Sequence, residues 1–465
     1  LKTKGGATDY REFHMHLVGD SEIVLSEIQA ISSRTKKNVL TNANKMSTNN
    51  RSANGWLAQG NHWATYMNGQ QLHLISDGRG DNRPNRMEID MSADVRRNDD
   101  LTIKFKARWV RGNPRLIAWT WDKSVAGSFL VEIPENLGTP GKRNSTFAAN
   151  TPPQVDELLH SPAVPTSSQS VRVTARITSV DPLSSVSVRH RADSSNNTGS
   201  WKTKTMYDDG SRGGDEVAGD GVFTGTLTEY RSNGRRVQFY VEARTEAGTS
   251  HSQPKWGPDR PALYVVDNRK PKTDLRTVRL VVSDYDMGAV SNGGSSKYKY
   301  KFPRLSNHYF NATFISNEKD IRYNCEMRNS GSPWTRGNHL NRGKWKMPND
   351  RRFRGKYKLS WDDDANGRVS RNRLTRYMLY LMGHVVNENE MIWFTVNSSS
   401  PQMREEVEPV ANDFLSRNFT DGVKGNLYRI DDEWWFTDSW DRQSRNADWS
   451  YKSSDNPGRY RSEWM

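Results

Sequence analysis

Two sets of residues in this chain have the types and spacing to do chemistry. The first is Arg336-Gly337-Asn338, then Lys344-Trp345-Lys346, then Glu405, Glu406 and Glu408. A phosphate-handling site needs cations near the phosphates, a carboxylate to fix the lysine, and further carboxylates for Mg²⁺. Lys344 and Lys346 alternate with Trp345, so on a strand both ammonium groups share one face and the indole takes the other. Arg336 precedes them in a Gly-Asn turn. The glutamates open an expected helix over about 402–416, placed to orient a lysine. No GxxxxGK[ST] loop, HRD or DFG element occurs, which excludes ordinary NTPase and kinase architectures as far as motifs can.

The second set is Asp208, Asp209, Asp215 and Asp220, threaded with Gly210, Gly214, Gly219 and Gly221. Hard oxygen ligands on a flexible loop are what Ca²⁺ takes. The other reading is a pair of Asx-turns shaping a long hairpin, with each carboxylate bonded to backbone amides. The spacing is not that of an EF-hand.

The elements that must position these residues are mostly strands. Over 1–138, Ile23-Val24-Leu25, Gln71 to Ile75, Leu101 to Val110 and Leu116 to Trp121 read as strands between polar turns, several with clean period-two alternation. This predicts a β-sandwich of the jelly-roll type. Gly60-Asn61-His62-Trp63 ahead of a Leu-His-Leu strand gives it a loose resemblance to carbohydrate-binding jelly rolls. Its tryptophans either stack on sugars or fill the sandwich, and filling is favoured. Residues 139–153 are a Pro/Gly linker. Residues 154–266 predict a second, immunoglobulin- or fibronectin-like sandwich, with alternation at Val171 to Ile177, Val186 to His190 and Val237 to Ala243. A polar linker over 267–277 leads to an α+β domain over 278–465. That domain opens on a buried-type strand at Val278 to Val282. It includes a helix at 370–382 with Leu374, Tyr377, Met378 and Leu381 on one face and Gly383 as its stop.

Composition bounds the rest. A length of 465 residues exceeds one core and implies about three domains. The 34% hydrophobic content is low, but 16 Trp, 17 Tyr and 14 Phe exclude a disordered chain. The net charge of +14 is spread rather than run together, so nucleic acid is not the expected partner. The single cysteine, Cys325, excludes an internal disulfide and cysteine-ligated zinc, iron–sulfur and c-type haem sites. It reads as a small core residue. Near-absence of cysteine fits a bacterial protein, and no apolar run is long enough to span a bilayer.

The span 310–436 resembles the CotH kinase-like family. Arg336-Gly337-Asn338, the Lys344-Trp345-Lys346 strand, the Leu374-to-Gly383 helix, Glu406-Val407-Glu408 to Asp413-Phe414-Leu415, and Gly425-Asn426-Leu427-Tyr428-Arg429 occur in the family's order. The resemblance implies that Arg336, Lys344 and Lys346 contact the phosphates of Mg-ATP and that Glu406 or Glu408 is the acidic partner. His339 and Leu340 depart from the small hydroxyl residues that usually follow Arg-Gly-Asn. The family's metal-binding and catalytic aspartates lie well downstream of Gly-Asn-Leu-Tyr, and the chain as given stops at Met465 ahead of them, so no residue is assigned a catalytic role. Leu137 to Gly141 with Asn144-Ser145 resembles modules of large envelope proteins of planctomycete-like bacteria.

Together these features predict an exported or cell-surface modular protein of a bacterial envelope, with a structural, adhesive or coat-forming role. Its expected partners are other envelope proteins, glycans or further copies of itself. The alternatives are a secreted atypical protein kinase using Mg-ATP and a glycan-binding surface protein.

Overall fold

The computed structural model describes residues 12–47, 52–77, 86–92, 99–120, 126–135, 141–143, 149–195, 199–290, 308–330, 340, 342–363 and 368–424, with two short strands at 433–436 and 442–445. Arg336 and Gly425 to Arg429 lie outside these residues.

The first unit contains β1 (Glu12–Leu17), β2 (Asp20–Ser32), β3 (Leu57–Ala58), β4 (Tyr66–Asn68), β5 (Gln71–Asp77), β6 (Met87–Asp90), β7 (Leu101–Arg111), β8 (Arg115–Thr120) and β9 (Ala126–Leu130). They form two sheets, ordered β3-β6-β1-β8-β9 and β4-β5-β2-β7. Phe13, Met15 and Leu17 of β1 alternate into one core with Ile23 and Leu25 of β2. Trp56 is fully buried in that core, and its Nε1 donates to the Ala43 carbonyl at 3.0 Å. Gly112 lets the β7–β8 turn close over β2: its φ is +76°, and a Cβ there would lie 2.1 Å from the Asp20 carbonyl oxygen.

The second unit contains β10 (Gln154–Ser161), β11 (Val171–Thr178), β12 (Leu183–Ala192), β13 (Lys202–Thr205), β14 (Val222–Leu227), β15 (Arg236–Thr245), β16 (Ser250–Gln253) and β17 (Ala262–Val265). Its sheets run β10-β11-β14 and β13-β12-β15-β16, with β17 also on β15. Val171, Val173, Ala175 and Ile177 point inward, while Arg172, Thr174 and Arg176 point out.

The third unit contains β18 (Arg276–Val281), α1 (Asp284–Val290), β19 (Phe310–Ser316), β20 (Asp320–Asn329), β21 (Gly343–Lys346), β22 (Lys358–Asp363), α2 (Arg368–Leu381), β23 (Asn389–Val396), β24 (Gln402–Val407) and α3 (Asn412–Asn418). Its strands form a closed barrel in the order β18-β19-β20-β21-β22-β24-β23, closed by parallel pairing of β18 with β23. β25 (Glu433–Phe436) and β26 (Arg442–Arg445) pair with each other. Trp345 and Trp361 stack inside the barrel, centroids 4.9 Å apart, against Phe394. Gly343 makes room for this stack, since a Cβ there would lie 2.0 Å from the Trp361 ring.

The second unit and the barrel share one core. Val281, Ile315, Ile321 and Tyr323 of the barrel pack with the sandwich residues. The Tyr323 hydroxyl accepts from the His160 backbone N–H at 3.0 Å and lies 2.7 Å from His160 Nδ1. The stretch 267–277 is therefore not a free linker. Asp267 is buried and ion-paired with Arg279 of β18 at 3.0 Å, and β18 itself begins at Arg276.

One local expectation fails. Residues 402–407 are strand β24 rather than the start of a helix; only α3 of the expected 402–416 helix forms. A run of glutamates favours helix locally, but pairing of β24 with both β22 and β23 outweighs that weak preference. α2 lies where the sequence places it, and Gly383 follows it at φ +81°. Its apolar face, however, is outward: Leu374, Tyr377, Met378 and Leu381 are 59%, 59%, 54% and 64% exposed. The helix is held instead by Arg376, whose Nη1 donates to Glu405 at 2.5 Å and whose Nε donates to Asn387 at 3.1 Å.

Candidate functional site

The charged end of the barrel is the most developed polar site among the described residues. β23 and β24 place Glu390 directly opposite Glu406, and β22 places Trp361 opposite Glu406. Directly opposed residues share a face, so both glutamates continue the interior row that Trp361 occupies. Arg276, on the same face of β18 as Val278 and Leu280, enters between them. Its Nη2 donates to Glu406 Oε1 at 2.5 Å and its Nε to Glu390 at 3.0 Å. Arg354 adds a second guanidinium to Glu390 and lies 4.0 Å from Glu406. Arg276 also stands over the Phe353 ring, 5.1 Å from its centroid. Beside this group, Lys356 pairs with Glu388, and Arg417 of α3 donates to Glu408 Oε1 at 2.6 Å.

Burial separates the two opposed carboxyls. Glu406 is 3% exposed, and loss of solvation pushes its pKa up to about 7 against the pull of Arg276. Glu390 is more open. Desolvation opposes its ionisation too, but Arg276 and Arg354 outweigh it and hold the carboxyl below its ordinary value. Among the described residues Glu406 Oε2 has no hydrogen-bond partner. Glu406 is one of the residues around a cavity of about 710 Å³ walled by the barrel end, α2 and α3, with Arg373, Tyr377 and Tyr380 on the helix side.

The residues singled out in the sequence fall in different places. Glu406 and Glu408 line this cavity. Lys344 and Lys346 alternate with the buried Trp345 as the sequence implies, but they project from the barrel wall. Lys346 Nζ pairs with Glu326 at 3.1 Å and lies 3.7 Å from the Tyr309 ring centroid. Glu326 in turn accepts from Arg260 of the second unit at 3.2 Å, so Lys346 belongs to the contact between the two units. Lys344 sits opposite Arg328 and Ser360. Neither lysine lines the cavity, and the acids there take Arg276 and Arg417 instead. Arg276, Arg354, Lys356, Glu388, Glu390 and Arg417 carry no motif. The one sequence sign is charge at strand positions whose neighbours are apolar, as in Asn389-Glu390-Met391-Ile392.

The four aspartates of the Gly-rich loop turn onto backbone amides. Asp208 accepts from Gly219, Asp220 and Gly221 at 2.8, 3.2 and 3.0 Å. Asp209 accepts from the amides of Ser211 and Arg212, Asp215 from Gly210, and Asp220 from Val222. These four do not converge on one point. The described residues whose ligand atoms do converge are Glu12, His14 and Glu88, within 4.8 Å of one another. A guanidinium already balances them: Arg86 Nη2 lies 2.7 Å from Glu88 and 3.9 Å from Glu12. Cys325 is fully buried among apolar side chains, which pushes its thiol up to about 12 and leaves it inert as a nucleophile. His62 is likewise core, and Trp63 packs edge-on to His308, centroids 5.4 Å apart.

No family model matches the chain, and no curated protein is similar to it. Among the described residues no helix is long and apolar enough to cross a membrane.

Proposed function

We propose that the chain is an exported or cell-surface modular protein of a bacterial envelope, structural, adhesive or coat-forming. A jelly-roll-like and an immunoglobulin-like sandwich carry a CotH-like domain that acts as a scaffold or binding module. The observation that carries this reading is the fate of the lysine–glutamate pair. A phosphoryl-transfer site holds a lysine against a carboxylate and keeps other carboxylates for Mg²⁺. Here Lys346 is committed to Glu326 at the contact between units, and Glu408 and Glu406 are committed to arginines.

The second reading, a secreted atypical kinase using Mg-ATP, draws support from the cavity, whose size and cations suit a nucleotide. One experiment separates the two. The full chain and its Arg354→Ala/Lys356→Ala form, which loses two cations of the cavity, are incubated with labelled ATP and Mg²⁺ or Mn²⁺, and nucleotide binding is followed by calorimetry. The scaffold reading expects neither label nor binding heat. Label that disappears in the double variant would overturn it.

A further inference from the structure

Helix α2 ends in an apolar surface that wraps around it. Met378, Leu379, Tyr380, Leu381 and Met382 are consecutive and all exposed, Met382 to 69%. The Met382 N–H still bonds to the Met378 carbonyl at 3.0 Å, so the helical turn holds to that point. Successive helical residues point about 100° apart, and an unbroken run of them leaves the axis in every direction. Val385, also exposed, continues the surface past Gly383. A groove on another protein takes one stripe of a helix, at i, i+3, i+4 and i+7. The end of α2 has no polar side for such a groove to leave in water. Its shape is that of an element immersed in an apolar phase.

The charge along the helix has one sign. From Ala365 to Asn387 the sequence holds Arg368, Arg371, Arg373 and Arg376 and no Asp or Glu. Arg376 is spent on Glu405, but Arg371 is exposed, and Arg373 donates to the Asn389 carbonyl over a long 3.4 Å. The acids of the neighbouring cavity, Glu388, Glu390, Glu406 and Glu408, are each held by a cation and do not cancel this charge. Tyrosine favours the level where hydrocarbon meets water, and Tyr377 and Tyr380 lie between Arg376 and the Leu381–Met382 end. A basic helix with an apolar side rests in the headgroup layer, its apolar side about 5–10 Å deep and its cations on lipid phosphates. Such a helix lies on a bilayer without crossing it.

We propose that α2 and the turn after it dock the barrel on an anionic phospholipid surface, with Tyr380, Leu381 and Met382 entering the interface and Arg371 and Arg373 meeting lipid phosphates. The inference is independent of the scaffold and kinase readings, which turn on the acids and lysines of the barrel.

The test sediments the full chain with vesicles of phosphatidylcholine alone and of phosphatidylcholine mixed with phosphatidylglycerol. Binding is expected on the mixed vesicles, far weaker on the neutral ones, and falling as salt rises. The net charge of +14 draws the chain to any anionic surface, so substitution of the apolar end decides the matter. Leu381→Ser/Met382→Ser, at exposed positions, is expected to keep the parent's melting temperature and to weaken binding roughly tenfold, equivalent to about 1.4 kcal/mol. Arg371→Gln/Arg373→Gln is expected to weaken it on the mixed vesicles alone. No binding to either vesicle overturns the proposal, and so does binding that the Leu381→Ser/Met382→Ser form retains in full. Equal binding to both vesicles overturns it too, since the arginines then have no role. A parent that dimerises without lipid and binds no vesicle, beside a monomeric Leu381→Ser/Met382→Ser form, gives the surface to a second copy and overturns it as well. None of these outcomes decides nucleotide binding, which the labelled-ATP experiment reads separately.

Discussion

Glu406→Gln is the substitution in which the charged barrel end has a consequence of defined sign. The side chain ordinarily titrates near 4.5 and is raised to about 7, first because it is desolvated and further because Glu390 lies opposite. Arg276 pulls the other way and does not win. The folded chain therefore holds a proton that the unfolded chain releases across this window. Stability from this group is full at the acidic end, falls as pH rises through the window, and is flat above it. At about 1.4 kcal/mol per pH unit, the slope integrates to roughly 3 kcal/mol. Glutamine carries no proton to lose, so the stability of Glu406→Gln relative to the parent should climb by up to that amount from acid to mildly alkaline pH. The two forms are compared by urea unfolding across the window, with tryptophan fluorescence as the signal. The difference between them is the quantity read, since carboxyls remote from Glu390 and Glu406 titrate alike in both. A pH-independent difference, or a glutamine form that loses ground as pH rises, would show that the Arg276 pair keeps Glu406 ionised and that the burial argument is wrong.

Three further substitutions have defined outcomes. Gly343→Ala drives a methyl into the Trp361 ring, 2.0 Å from where its Cβ must sit, and should cost about 1–3 kcal/mol or more by urea unfolding; a neutral effect would mean the Trp345–Trp361 stack can shift. Asp208→Ala frees three loop amides and should lower the melting temperature, while EGTA leaves the parent's melting temperature unchanged; a fall on adding EGTA would restore the calcium reading of Asp208, Asp209, Asp215 and Asp220. Arg376→Ala strands the fully buried Glu405 and should cost about 3–5 kcal/mol, whereas Leu374→Ser on the outward face should be near neutral; a reversed order in thermal unfolding would mean that α2 is held by its apolar row.

The two sandwiches were legible because alternation is a local signal. Val171 to Ile177 declares its inward face within one strand, and the second sheet only has to meet it. The α2 helix was legible for the same reason, down to Gly383. Its orientation was not, because the sequence shows an apolar row and an arginine row on one helix without saying which the sheet will match. Glu405 decides that. It lies on the outer face of β24, fully buried, and Arg376 covers it together with the Asn389 amide. The strand at 402–407 was misread for a related cause. Its buried positions are charged, Arg404, Glu405 and Glu406 in succession, and a buried charged position looks like a solvated one until its partner is known.

That partner comes from far along the chain, and this is why the site escaped motif reading. Arg276 meets Glu390 and Glu406 because parallel pairing of β18 with β23 closes the barrel, and no local composition encodes that closure. Closure also explains the character of the site. An interior row that is apolar at Trp361 and Ile392 must become polar where it reaches the open end, and in so confined a place each charge needs a partner. Arginine meets this demand best, since its planar fork serves two carboxylates at once and it never loses its charge. The result is a charge-paired ring at the barrel end, with Arg276 between Glu390 and Glu406. A metal-dependent transferase needs several carboxylate oxygens released together, whereas Glu388, Glu390, Glu406 and Glu408 each hold a cation here.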